Sequence, residues 1–101
     1  MSYEPRLQRN AQKKITEYLE AQYLNREPYL LAVEQVRLAL LRLAASPKQA
    51  VAPPGPFETR PIFRFTLNPD GTPRDVQVCF CFDHADQGER VILITDFMSV
   101  P

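Results

Sequence analysis

At 101 residues, with a hydrophobic fraction of 45%, the chain has material for one core and none for a second. Its twelve basic and twelve acidic side chains cancel, and so lack the basic surplus from which a dedicated nucleic-acid binder draws its affinity. No apolar run approaches the roughly 20 residues of a membrane span, and no basic start leads into an apolar leader, so a soluble cytoplasmic domain without membrane contact is expected.

The spacing predicts a first helix over residues 5–24. Leu7, Ala11, Ile15, Tyr18, Leu19 and Tyr23 recur three and four apart and so share one face. Pro5 suits the first turn, while Lys13, Lys14, Glu17 and Glu20 lie off the stripe as a solvated face. A second helix is expected over residues 28–45, with Asn25 before it as a cap. Tyr29, Leu30, Val33, Val36, Leu40, Leu41 and Ala44 form its stripe. Leu31, Leu38 and Leu43 widen the apolar arc, so this helix should be covered on more than one side. Pro47 ends it, because a residue before proline is pushed out of the helical region. The short link makes the two helices antiparallel neighbours, an αα-hairpin. Residues 46–60 carry Pro47, Pro53, Pro54, Gly55 and Pro56, the composition of a stiff extended connector.

Three strand patterns then follow without a helix between them. Phe63, Phe65 and Leu67 alternate with Arg64 and Thr66 in the first, Pro61–Leu67. Asn68-Pro69-Asp70-Gly71 is a turn signal. The second, Asp75–Phe82, sets Val76, Val78, Phe80 and Phe82 against Asp75, Gln77, Cys79 and Cys81. The third, Arg90–Phe97, is apolar on both faces, as a strand central in its sheet is. Sequential strands joined by short turns make an antiparallel meander, and its greasy face needs the helices as cover. The expected fold class is therefore α+β in a single domain, an N-terminal αα-hairpin on a three-stranded meander with room for one extra edge strand. Phe63, Phe65, Val76, Val78, Phe80 and Phe82 should face the helices, and Arg64 and Gln77 the opposite side. An exposed sheet edge is commonly closed by a second copy across a two-fold, so a homodimer is an alternative to a foreign partner.

Few residues carry chemistry. Cys79 and Cys81 sit at i and i+2 on one strand, about 6.5–7 Å apart, too far for an internal disulfide. With His84 they offer two thiolates and an imidazole to zinc, but the set lacks a fourth ligand and the spacing is not that of a knuckle. As small apolar residues they need no metal, and no cofactor is expected. Ser2, Ser46 and Ser99 fall at a terminus, a helix end and the tail, away from any nucleophile elbow. The glycines are scattered, so no phosphate-cradling loop is encoded. The charge is uneven: residues 1–50 hold eight basic and five acidic side chains, residues 51–101 four and seven. Arg60, Arg64, Arg74 and Arg90 lie on or beside strands, where guanidinium groups can clamp phosphate or stack on bases.

Two helices followed by "RPIFRFTL", "DVQVCFCFDH" and "ERVILITDF" resemble the RelE/ParE toxin family of type II toxin–antitoxin systems. The resemblance implies a helical hairpin on one face of an antiparallel sheet, a small antitoxin-like peptide as partner, and action on a protein or on the ribosome. Nuclease members cleave mRNA with basic residues on the sheet. Matched by position, Arg60, Arg64 and Arg74 are the implied target- or RNA-binding residues. Such members carry a Tyr-Arg pair where this chain has Cys79-Phe80-Cys81, and its last strand ends in Thr95-Asp96-Phe97. No opening strand is evident before Leu7. The resemblance thus implies binding rather than cutting.

Overall fold

A computed structural model describes residues 3–47, 61–85 and 89–100, with backbone alone for residues 83–85 and 89–90. The fold is α+β: β1 (Glu4–Leu7), α1 (Arg9–Gln22), α2 (Arg26–Ala45), β2 (Ile62–Leu67), β3 (Arg74–Ala85) and β4 (Glu89–Ser99). The four strands form one mixed sheet in the order β1-β4-β3-β2. The antiparallel β2-β3-β4 run is the expected meander. The extra edge strand is β1, and it pairs parallel to β4, Glu4 opposite Val91 through Leu7 opposite Ile94. The connector expected over residues 46–60 lies, beyond Pro47, outside the described residues.

The opening of the chain is therefore strand where periodicity predicts helix. Pro5 has no N–H to give a ladder, which suits an edge strand bonded on one side only. The Gln8 N–H donates to the Ile94 carbonyl at 3.0 Å, continuing the pairing, and the Tyr3 N–H donates to Ala44 O at the end of α2 at 2.8 Å. With β1 in place the helix begins only at Arg9, and Leu7 belongs to the sheet. Asn25 does precede α2 as its cap residue, though without a side-chain bond to the helix.

Both helices cover one face of the sheet. From α1 come Ala11, Ile15 and Leu19, with Tyr23 just past its end, and from α2 Ala32, Val36, Ala39, Leu40 and Leu43. They meet an inward row of Phe63, Phe65 and Leu67 on β2 and Val76, Val78 and Phe80 on β3. Phe82 shares that parity but lies at the rim, 45% exposed, with Tyr3 against it at 5.3 Å between ring centroids. In β4 the inward residues are Ile92, Ile94 and Phe97, an interval of two and then three. The register shift opposite Cys79 and Phe80 explains the change: Cys79 pairs Asp96 and Phe80 pairs Ile94, leaving Thr95 as the extra residue of a bulge. The bulge flips the alternation, so Phe97 joins the core although simple period-two counting sets it with Val91 and Leu93. Beyond Leu7 the outer edge of β4 passes from β1 to α1. There Asn10 donates to the Thr95 carbonyl at 3.4 Å, and Tyr18 packs edge-on against Phe97.

The β2–β3 turn forms as its composition dictates. The Asp70 carboxylate accepts the Thr72 N–H at 3.0 Å, and Gly71 takes φ +87°, a conformation an L side chain adopts only under strain.

Candidate functional site

The sheet face turned away from the helices is polar beside the β2–β3 turn and at the β1 edge, where Arg6 pairs with Glu4, with an apolar middle. Arg64 and Thr66 on β2 stand beside Gln77 and Asp75 on β3. The Arg64 Nε–H donates to Gln77 Oε1 at 3.1 Å and the Thr66 hydroxyl to Asp75 Oδ1 at 2.7 Å. Met98 extends the Arg64–Gln77 row across the sheet. Toward the centre lie Ile62, Cys79, Cys81 and Leu93, all half-buried. Both cysteines stand on this face outside any disulfide, not beneath the helices, and the Cys79 carbonyl accepts the Thr95 hydroxyl at 3.3 Å. Among the described residues no group of three or more His, Cys, Asp or Glu side chains converges to hold a metal; the His84 side chain lies outside them, and its backbone pairs with Arg90 in the β3–β4 ladder.

The three arginines implied by the resemblance do not form one cluster. Arg60 lies outside the described residues. Arg64 is on the open face and exposed, as expected. Arg74 is opposite Leu67 in the ladder and so belongs to the helix side of the sheet. Its guanidinium lies 5.4 Å from the centre of the Tyr23 ring and 3.2 Å from the Asp70 carboxylate. The Thr72 N–H first, and Arg74 after it, hold the Asp70 carboxyl below its ordinary range. Arg74 is thus a brace between the β2–β3 turn and the end of α1.

A second surface was not predicted as a site. Pro5 and Leu7 of β1, Ile15 and Leu19 of α1, and Val33, Val36, Leu40 and Leu41 of α2 line an apolar groove of about 380 Å³, with Gln12 and Arg37 at its margin. Leu7, Val33 and Leu41 remain about two-fifths exposed along it. α1 and α2 touch each other sparingly because each is set against a strand, and the groove opens where a tighter hairpin would have closed. Its signal in the sequence is the second helix, apolar almost all round.

Lys14 and Asp96 tie α1 to the bulged end of β4, Nζ to Oδ1 at 2.7 Å. The ammonium, followed by the Phe97 N–H, holds the Asp96 carboxyl below its ordinary value. A folded-state value below the unfolded one means the contribution is complete above the unfolded pKa of about 3.9 and is lost as pH falls through the folded value. Both side chains are about a third or more exposed, so less than about 1 kcal/mol is expected. Urea midpoints taken from pH 7 down to pH 2.5 should fall, and Asp96→Asn should remove a small part of that fall. An identical acid profile in the variant would show the pair to be idle.

The fold and its surfaces define a small α+β domain with a helix pair on one sheet face, an apolar groove beside the opening strand, and an open face carrying Arg64. No family model, no curated protein and no solved structure matches the chain. No helix among the described residues is long and apolar enough to cross a membrane.

Proposed function

We propose that the chain is a toxin-type module of the RelE/ParE kind that acts by binding a protein or ribosomal target and is neutralised by a small antitoxin-like peptide. The observation that carries this reading is the groove. Its width is that left between two helices and a strand, and its wall is almost wholly apolar with one guanidinium at the margin. An amphipathic helix laid along it would bury Leu7, Val33 and Leu41 together, the helix-in-groove mode of recognition. The opening strand adds support: the resemblance implies it, the hydrophobic periodicity gives no sign of it, and it is present as β1.

Binding rather than cutting is the reading of the open face. Arg64 stands there beside Gln77, and Arg74 is committed to Asp70 and Tyr23 on the other side. Cleavage would ask for groups that move a proton as well as groups that hold phosphate, and on the open face the Asp75 carboxylate is engaged by the Thr66 hydroxyl, Arg6 by Glu4 at the β1 edge and Arg64 by Gln77.

Induced expression in bacterial cells tests the proposal. Growth should stop within a few generations, and co-expression of a small open reading frame adjoining this one in its genome should restore it. Sustained growth at high soluble expression would overturn the reading. An mRNA profile free of new cleavage ends during arrest separates binding from cutting.

A further inference from the structure

We propose that two copies of this chain pair through the outward face of α2, the helices running antiparallel about a two-fold axis. The helix of residues Arg26–Ala45 sends Ala32, Val36, Ala39, Leu40 and Leu43 into the core. On its far side Leu31, Leu38 and Leu41 stay 50%, 48% and 42% exposed. A helix apolar on both sides is ordinarily buried on both, and the described residues of this chain cover one.

The exposed residues are also ordered. Leu31, Glu34, Leu38, Leu41 and Ala45 are spaced three, four, three and four apart, the repeat of a coiled-coil seam. At about 100° per residue they fall within an arc of about 80°. The seam is complementary to itself. With the two-fold level with residues 35–36, Leu31 of one copy lies against Leu41 of the other, and Leu38 against the stem of Glu34. Glu34 and Arg37 form an ion pair within one helix, the Arg37 Nε–H donating to Glu34 Oε2 at 2.9 Å. Antiparallel pairing brings Glu34 of each copy alongside Arg37 of the other, so the two intrahelical pairs merge into a four-charge ring. Glutamate in an otherwise leucine seam disfavours a parallel register, in which Glu34 would face its own copy. A second copy of this chain is therefore the occupant that the charge pattern fits.

The seam borders the groove and shares Leu41 and Arg37 with it, while Leu31 and Leu38 lie outside it; Leu38→Glu therefore reads the seam alone, and the inference does not rest on what the groove holds. A helix of 20 residues is about 30 Å long. A pairing confined to it falls at the small end of interface sizes, below about 1,200 Å² in total, where complexes are transient. The expected dimer is micromolar and exchanges freely.

Sedimentation velocity on the full chain between about 2 and 200 µM tests it. The mass should climb with concentration from 11.6 kDa toward twice that. Leu38→Glu should hold the chain at the monomer mass throughout with an unchanged circular dichroism spectrum, because the position is half-exposed and the substitution spares the core. Arg37→Glu makes the seam wholly acidic and Glu34→Arg wholly basic. Each variant alone should be monomeric, and an equimolar mixture should associate. A chain monomeric across the range, a dimer indifferent to Leu38→Glu, or a mixture of the charge variants that stays monomeric would each overturn the proposal.

Discussion

Phe80→Ala is expected to lower the unfolding free energy by about 3–5 kcal/mol, the loss that follows from removing a fully buried aromatic ring whose site cannot collapse. Phe80 has no solvent exposure. It sits in the third of four adjacent strands, opposite Ile94, with the second strand on one side and the helices overhead. Phe82 meets it edge-on at 5.7 Å. None of these neighbours can move into the void without breaking the ladder, and the bulge beside it fixes the register further. A domain of this size holds about 5–15 kcal/mol in all, so the variant should be folded but near its limit. Urea unfolding checks it: the midpoint should fall by roughly 2 M at an unchanged slope, taking the slope as about 2 kcal/mol/M. Phe82→Ala is the control. The residue type is the same and the strand is the same, but the ring is 45% exposed, and the loss should be about 1 kcal/mol. Equal losses at the two positions would place the core elsewhere along β3.

The contrast between those two phenylalanines shows what period-two alternation carries. It names the face of a residue, and it put Phe63, Phe65, Val76, Val78 and Phe80 under the helices. It does not name depth, which depends on where the covering helices end, and so Phe82 was expected in the core and lies at the rim. The same parity already sets Arg74 with Val76 on the helix side. The grouping of Arg74 with Arg64 that the resemblance implies goes by position along the chain, which does not carry the face. In β4 the alternation fails at Thr95, because a bulge is a pairing event between two strands and leaves no mark in the hydrophobic pattern of one.

β1 was hidden for a different reason. Four residues with Pro5, Glu4 and Arg6 among them carry little strand propensity, and Leu7 extends the helical stripe of Ala11 and Ile15 by coincidence of spacing. What makes the segment a strand is its partner, Val91–Ile94, more than eighty positions later in the chain. Parallel pairing at that separation is decided by tertiary packing and has no local signature. The groove inherits this blindness, since β1 is one of its walls. The other wall was legible. The wide apolar arc of the second helix asked for cover on more than one side, and within one chain Leu30, Leu31, Val33, Leu38 and Leu41 are left exposed. That surplus is the feature from which both the groove and the seam are argued.

If the groove takes the neutralising peptide and the open sheet face takes the target, substitutions should separate the two activities. Leu7→Glu puts a carboxylate on the groove wall, where a docked helix would have to desolvate it. Leu7 is 39% exposed on an edge strand, so the fold should tolerate the change. The expected variant arrests growth as the parent does but escapes its neutraliser, with affinity lower by about 30-fold or more, since the loss of a central apolar anchor costs about 2 kcal/mol or more. Arg64→Glu should do the reverse. Its side chain stands on the opposite side of the sheet, bonded to Gln77, and reversing that charge would repel a phosphate or an acidic target without touching the groove. That variant should be harmless on induction and still bind the peptide with parental affinity, read by titration calorimetry. The sheet is one residue thick between these surfaces, yet its two faces are chemically independent because successive side chains point opposite ways. Loss of both activities in Leu7→Glu would mean that one surface serves target and neutraliser alike, with neutralisation then being direct competition for the groove. Retention of full toxicity in Arg64→Glu would take the open face out of target binding altogether.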